Sequence, residues 1–258
     1  MAFIVIIVGL LGLCLGSFVN AWVIRLHSHK SVAKGRSECP HCHHQLAWYD
    51  LIPVVSYISL GGKCRYCQRY ISWQYPVGEL AMAITYGLLA WHFGASTPYA
   101  IVQLVAWLMI ATLLIAAALY DARWSLLPDT YTLPALILAA VLLAVSYLVF
   151  GQHQLAWNLV GAAAFAGFYL LLYCVSRGRW IGQGDIILAA IMGLLLSPQL
   201  LLVAIFVAYL AGAAVGIVLI RSKKSKTHHM AFGPFLVGGL FVALLWGQTI
   251  IDWYLGLI

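Results

Sequence analysis

Residues 3–24 read FIVIIVGLLGLCLGSFVNAWVI, a run with no charged side chain, and Arg25 follows it directly. A hydrocarbon core roughly 30 Å thick takes about 20 apolar residues of helix to cross. A cleaved secretory signal would carry its basic residues before the apolar stretch. Here Arg25, Lys30, Lys34 and Arg36 come after it, so the run is expected to stay as a first membrane span.

Similar runs recur outward from it, at about 77–93, 99–120, 131–150, 156–175, 186–197, 199–220 and 232–251. The 258 residues are 64% hydrophobic and 8% charged, whereas a soluble globular domain carries about 25% charged residues. The composition excludes a soluble domain and predicts an all-α, polytopic membrane helical bundle of about eight spans. Ile186 to Leu196 is short for a crossing and resembles a re-entrant piece. Arg177 and Arg179 before it and Lys223 and Lys224 after its neighbour nevertheless favour one membrane side, so two crossings are expected between them. A short helix, broken by Pro198 and backed by neighbouring helices, meets that parity.

All 14 Lys and Arg residues fall in the loops 25–76, 121–130, 176–185 and 221–231; the alternate loops 94–98, 151–155 and Ser197-Pro198 hold none. By the positive-inside rule the basic loops are cytoplasmic and both termini face the other side. The net charge of +7 is accounted for by orientation and anionic lipid headgroups, with no nucleic-acid partner. His228 and His229 beside Lys226 read as solvated loop residues.

The loop 25–76 is the one sizeable polar segment. It carries Cys39-Pro-His-Cys42 and Cys64-Arg-Tyr-Cys67 with 21 residues between the pairs. On the reducing side of a membrane disulfides are rare, and two CxxC pairs at this kind of spacing read as a zinc site. Four thiolates close a tetrahedron and leave no position for a substrate, so Cys39, Cys42, Cys64 and Cys67 point to a structural Zn²⁺ that folds a loop too small to hold itself. Free or redox-paired thiols are the alternative. His41, His43 and His44 also admit a mixed Cys/His ligand set. Cys14 and Cys174 lie in apolar spans and read as small buried side chains.

Seven acidic residues occur: Glu38, Asp50, Glu79, Asp121, Asp129, Asp185 and Asp252. An ionisable group at a span boundary in so apolar a chain is a functional candidate. Asp121 closes the third span and Asp185 opens the sixth, after Gly182-Gln-Gly184, and the topology puts both at the cytoplasmic membrane edge. Two carboxylates that meet there would divide the work of peptide hydrolysis. The ionised member takes a proton from water, and the protonated one polarises the carbonyl and then protonates the leaving amine. Against this stand plainer readings. Asp185 also reads as a helix N-cap, Asp129 before Thr-Tyr-Thr reads as one, and Asp121 has Arg123 within reach as an ion-pair partner. His-Glu-x-x-His and Gly-x-Ser-x-Gly are both absent, which removes zincins and the serine hydrolases of that type.

In order along nearly the whole chain, these motifs resemble the bacterial type IV prepilin peptidases. The resemblance rests on Leu15-Gly-Ser-Phe-Val-Asn20-Ala-Trp-Val-Ile-Arg25 and on the two cysteine pairs with Leu51-Ile-Pro-Val-Val-Ser-Tyr between them. It extends through Ile71-Ser-Trp-Gln-Tyr-Pro76-Val-Gly-Glu79, Asp121 with Leu-Pro-Asp129, Gly182-Gln-Gly184-Asp185, and Phe232-Gly-Pro-Phe-Leu. It implies an aspartyl protease of the GxGD kind in the bacterial inner membrane, with Asp121 and Asp185 as its catalytic pair. The implied substrates are type IV prepilins or type II secretion pseudopilins, whose basic leader would be removed at the cytoplasmic face. The resemblance also implies N-methylation of the new terminus with S-adenosylmethionine, Glu79 being the candidate residue toward that cofactor. The family often has Arg-Gly before its second cysteine pair, where this chain has Gly61-Gly62, and a hydrophobic residue before the glutamate, where it has Gly78. Both departures bear on the methyl-transfer region.

The expected division is a first span at 1–24, a zinc loop with methyl transfer at 25–76, and a membrane-embedded protease core at 77–258. A proton carrier using the two aspartates as a relay is a rival reading, as is a zinc-organised scaffold without catalysis. The first would place its acids near mid-span, and the second would survive loss of both.

Overall fold

The structure is a computed structural model that describes residues 1–32, 35–221 and 231–256. The expectations placed on Lys34 and on Lys223, Lys224, Lys226, His228 and His229 lie outside these residues. Among the described residues the regular structure is helical, and extended backbone pairs only as the isolated bridges Glu38–Gln45 and Lys63–Tyr70. Eight helices follow the apolar runs: α1 (Ala2–His27), α3 (Gln74–Phe93), α4 (Pro98–Trp124), α5 (Asp129–Leu148), α6 (Leu155–Ser176), α7 (Gln183–Leu195), α8 (Pro198–Arg221) and α9 (Gly233–Leu255). The five-residue α2 (Val55–Ser59) lies in the polar loop. Six of the eight, all but α3 and α7, are long and apolar enough to cross a membrane. Gln74 and Glu79 lower the hydropathy of α3, and α7 has only 13 residues.

The helix ends follow local chemistry. Thr97 caps α4 by accepting the Ala100 N–H at 3.1 Å, with Pro98 in the first turn. At its other end Ser125 turns left-handed (φ 54°) and donates its N–H to Asp121 O at 2.7 Å. Arg177 closes α6 in the same way, and the Gly178 N–H reaches back to Tyr173 O at 2.9 Å. Asp129 is the first residue of α5 and makes no side-chain cap; Pro128 occupies the capping position. The N-cap reading of Asp129 therefore does not hold, because a proline there already fixes φ and the start of the helix.

The chain divides into two compact units, Met1–Gly94 and Ala95–Ile258. The sequence expectation drew its line at 76; the compact division comes after α3, which shares the first unit with α1. In that unit the two helices approach closely at Gly12 and Gly16. A Cβ on Gly12 would come within 2.8 Å of Met82 O and one on Gly16 within 2.7 Å of Glu79 Cα. Small residues that let backbones approach are the usual basis of helix association in lipid. Asn20, buried on α1, donates to Tyr75 O at 2.9 Å and ties the start of α3.

The second unit contains α4 to α9, with α7 against α5, α6, α8 and α9. Leu188, Ala189, Ile191 and Met192 of α7 are fully enclosed. Thirteen residues rise about 20 Å, short of a hydrocarbon core of roughly 30 Å. The end of α7 is therefore met by protein: Asn158 Nδ2 on α6 donates to Leu194 O at 2.9 Å. That contact satisfies a carbonyl which a helix end in lipid would leave orphaned.

Candidate active site and metal-binding loop

Asp121 stands one turn before the end of α4 and is 5% exposed. Its Oδ2 accepts the N–H of Gly233, the first residue of α9, at 2.8 Å. Asp185, in the first turn of α7, accepts the Gly182 N–H through Oδ2 at 3.1 Å. Each carboxylate thus faces a helix N-terminus, where unpaired N–H groups and the aligned peptide dipoles favour negative charge. Among the described residues the Oδ1 of neither takes a protein hydrogen bond. The two acids are brought toward each other through Leu127, which packs against Gly184 beside Asp185 and against Gly233 beside Asp121. The cap reading of Asp185 and the functional one coexist, since one oxygen closes the turn and the other stays available. Asp121 makes no ion pair with Arg123; the Arg123 guanidinium lies over the Trp124 ring.

Leu127 joins the two motifs. A Cβ on Gly184 would overlap the Leu127 side chain, and one on Gly233 would come within 3.2 Å of Leu127 Cδ2 and 2.7 Å of Asp121 Oδ2. Both glycines are small because the Asp121 motif and its following loop occupy the space a side chain would need. Leu127 and Gly233 both lie in motifs legible in the sequence, Gly233 reading there as a small residue for helix packing. Their part in the site arises from closeness between distant segments and is not legible there. Sequence reasoning missed Tyr169 on α6, whose hydroxyl meets that of Tyr209 on α8 at 3.1 Å. The Tyr209 ring in turn lies 5.0 Å from that of Phe232, beside Gly233.

In the first unit, the sulfurs of Cys39, Cys42, Cys64 and Cys67 all lie within 4.8 Å of one another. Cys39 and Cys67 Sγ are 3.9 Å apart, and the edge of a tetrahedron with Zn–S bonds of about 2.3 Å is about 3.8 Å. No histidine joins the set; His44 stacks on Tyr66 with ring centroids 3.6 Å apart. The two cysteine pairs repeat one backbone pattern. Cys39 O accepts the His43 N–H and Cys64 O the Gln68 N–H, both at 2.9 Å. Cys39 and Cys64 donate their own N–H groups to His44 O and Arg69 O at 3.0 and 2.9 Å. His43 and Gln68 are both left-handed, at φ 56° and 58°. Burial works against a Cys39 thiolate, but the amides of Cys42 and His41 together with the Cys64 and Cys42 side chains outweigh it and bring the thiol down to about 7.

Asp50 ties the second cysteine pair to the rest of the loop. Its carboxylate pairs with Arg65 Nε at 2.8 Å and accepts from Tyr66 OH at 3.2 Å and Ala47 N–H at 3.3 Å. Burial alone would raise this carboxyl, but the Arg65 guanidinium and the other two donors hold it below the usual carboxylate range.

Glu79, on α3, is 7% exposed. Its Oε2 accepts the Val54 N–H at 2.8 Å, and its carboxylate also bonds the Ser17 side chain.

Comparison with known proteins gives a consistent result. The Bacterial Peptidase A24 N-terminal domain matches residues 10–93, and the Type IV leader peptidase family matches residues 108–217. The chain is 33% identical to a prepilin leader peptidase/N-methyltransferase of Stutzerimonas stutzeri, over 95% of this chain and 91% of that one. A protein of the same description from Pseudomonas aeruginosa is 33% identical, over 95% and 91%. One from Bacillus subtilis is 32% identical, over 95% of each chain. No solved structure gives a significant match.

Proposed function

We infer two reactions from the premise that this chain belongs to the type IV leader peptidase family: it cleaves the leader peptide of type IV prepilins and methylates the N-terminus so created. It is a polytopic inner-membrane protease with methyltransferase activity.

Asp121 and Asp185 are the hydrolytic pair. The observation that carries this assignment is that Leu127 packs against both Gly184, next to Asp185, and Gly233, bonded to Asp121, while each acid is anchored by one oxygen to a backbone N–H and keeps the other oxygen free. One acts ionised and takes a proton from the attacking water as its oxygen bonds the scissile carbonyl carbon. The other acts protonated, hydrogen-bonds the carbonyl oxygen, and gives its proton to the nitrogen as the C–N bond breaks. The products are a leader carboxylate and a new amino terminus. The basic loops are cytoplasmic and both termini periplasmic, so a substrate helix in the bilayer brings its scissile bond to the depth of these acids. Type II secretion pseudopilins share this geometry and are included among the substrates, and lipids surround the spans.

Methyl transfer belongs to the loop 25–76 with the helices of its compact unit, and proteolysis to the second unit. Cys39, Cys42, Cys64 and Cys67 hold Zn²⁺ in a structural role, since four sulfurs complete its coordination and leave none for substrate. S-adenosylmethionine, when bound, supplies a methyl group to the free-base terminal amine, the C–S electron pair staying on sulfur and the amine proton passing to water. Glu79 serves that cofactor.

The test compares leader cleavage by wild type, Asp121→Asn and Asp185→Asn in detergent, with labelled methyl transfer followed on a pre-cleaved substrate. Each single variant should lose cleavage and keep methylation. Cleavage persisting in both would make the aspartates mere helix caps.

A further inference from the structure

We propose that the adenosyl sulfonium donor sits in a cavity of about 370 Å³ between the second half of α1 and the loop, walled by Cys14, Ser17, Phe18, Trp22, Arg25 and Pro53. The proposal rests on the methyltransferase reading above and deepens it by giving the cofactor a place.

Size comes first, because small-molecule sites run from about 300 to 1,000 Å³, mostly apolar with a few converging polar groups. The residues also match the three parts of the ligand. Phe18 and Trp22, one turn apart with ring centroids 6.1 Å apart, present aromatic surface to a purine. Arg25 gives two N–H groups to Val32 O and Gly35 O, at 2.9 and 3.3 Å, and keeps others for the amino-acid carboxylate. The third match is electrostatic. Glu79 is buried, yet among the described residues no Lys, Arg or His pairs with it. Its carboxylate reaches the lining through its partners, the Ser17 side chain and the Val54 amide next to Pro53. A buried carboxyl without a cation stays neutral, and a sulfonium bound beside Ser17 would favour its ionised form, so the two groups suit each other.

The backbone next to the wall is strained. Val54, the residue that donates to Glu79, has φ 61° and ψ −48°, a conformation that a β-branched residue adopts only under constraint. Such strain collects where a structure is held ready for a ligand. Glu79 holds the Val54 amide and Ser17 together, and so fixes the cavity wall.

The test uses the full chain in detergent, with labelled S-adenosylmethionine for equilibrium binding and S-adenosylhomocysteine as an unreactive probe. Trp22→Ala and Arg25→Gln should each weaken binding at least tenfold, and Trp22→Phe, which keeps a ring, should retain most of it. Cys14 is exposed, not buried as its apolar surroundings suggest, so on the unmutated chain S-adenosylhomocysteine should protect it from a small thiol reagent, read by peptide mass spectrometry, and this arm does not depend on any variant folding. Undiminished binding in both variants with Cys14 unprotected would overturn the cavity and leave the methyltransferase reading standing. Protection by added phospholipid alone would assign the cavity to an acyl chain and overturn it too. A wild-type chain that neither binds nor transfers methyl would overturn the reading itself.

Discussion

The Gly233 N–H donates to Asp121 Oδ2 at 2.8 Å, so the start of α9 and the end of α4 are joined through an acid proposed to do chemistry. The bond fixes one carboxylate oxygen and aims the other. It also leaves no volume at residue 233, where an added Cβ would come within 2.7 Å of that oxygen.

Gly233→Ala should therefore displace the Asp121 carboxylate while leaving α9 able to form. Misplacement by about 1 Å can cost about 100-fold in rate, and a loss of leader cleavage of that order is expected. Methylation of a pre-cleaved peptide should be unaffected. Cleavage within threefold of wild type would mean that this bond does not set the acid.

The Gly184–Leu127 contact leads to a paired test. Gly184→Ala should reduce cleavage strongly, because its methyl overlaps the Leu127 side chain. Leu127→Gly in the same chain removes the Cβ that this methyl meets and should restore part of the loss, since contacting residues couple. Strictly additive losses in the double variant would show that the two motifs do not act through this contact.

The apolar runs declared the helices because a span needs a long uncharged stretch, and that requirement is written locally. Asp121, Asp185 and the four cysteines stood out for a related reason: acids are scarce in this chain and the CxxC pairs are compact. Gly233, Leu127, Tyr169 and Asp50 did not stand out. Their roles depend on which distant segments meet, and neither periodicity nor composition records that. Asp129 misled because an acid before a helical run resembles a cap even where Pro128 already holds the position. The shortness of α7 was visible, but its remedy, the Asn158 bond to Leu194 O, was not.

Purified protein should contain one zinc ion per chain by elemental analysis, and Cys64→Ser should lower that content. Cys39 and Cys64 are both buried, so loss of the metal should open the loop to proteolysis between residues 35 and 70, while leader cleavage falls less than methylation. Full metal content in Cys64→Ser would remove this residue from the ligand set.

The Asp50–Arg65 pair gives the loop an acid sensitivity with a defined sign. Because the Asp50 carboxyl is held below its ordinary range in the folded loop, the stabilisation is fully present above an unfolded value of about 3.9 and is lost as pH falls through the lower folded value. Asp50→Asn should thus weaken the loop at pH 7. The difference from wild type should shrink below about pH 4, as read by protease resistance across pH. A difference that grows on acidification would reverse the assignment.

Asn158→Leu should strip the hydrogen bond from the half-buried Leu194 O at a cost of about 1–3 kcal/mol, offset in part by removing the unpartnered Asn158 Oδ1. The expected result is a lower thermal midpoint for the purified protein, with cleavage reduced but retained. An unchanged midpoint would show that water replaces the amide.

The short α7 has a consequence for how the enzyme senses its bilayer. Long outer helices answer a change in acyl-chain length by tilting. The enclosed residues of α7 touch α5, α6, α8 and α9, so its deficit of about 10 Å against the hydrocarbon core is settled between protein surfaces. Asp185 at its first turn is thereby insulated from lipid composition. In vesicles of increasing acyl-chain length, substrate capture by the outer helices would change before the chemical step does.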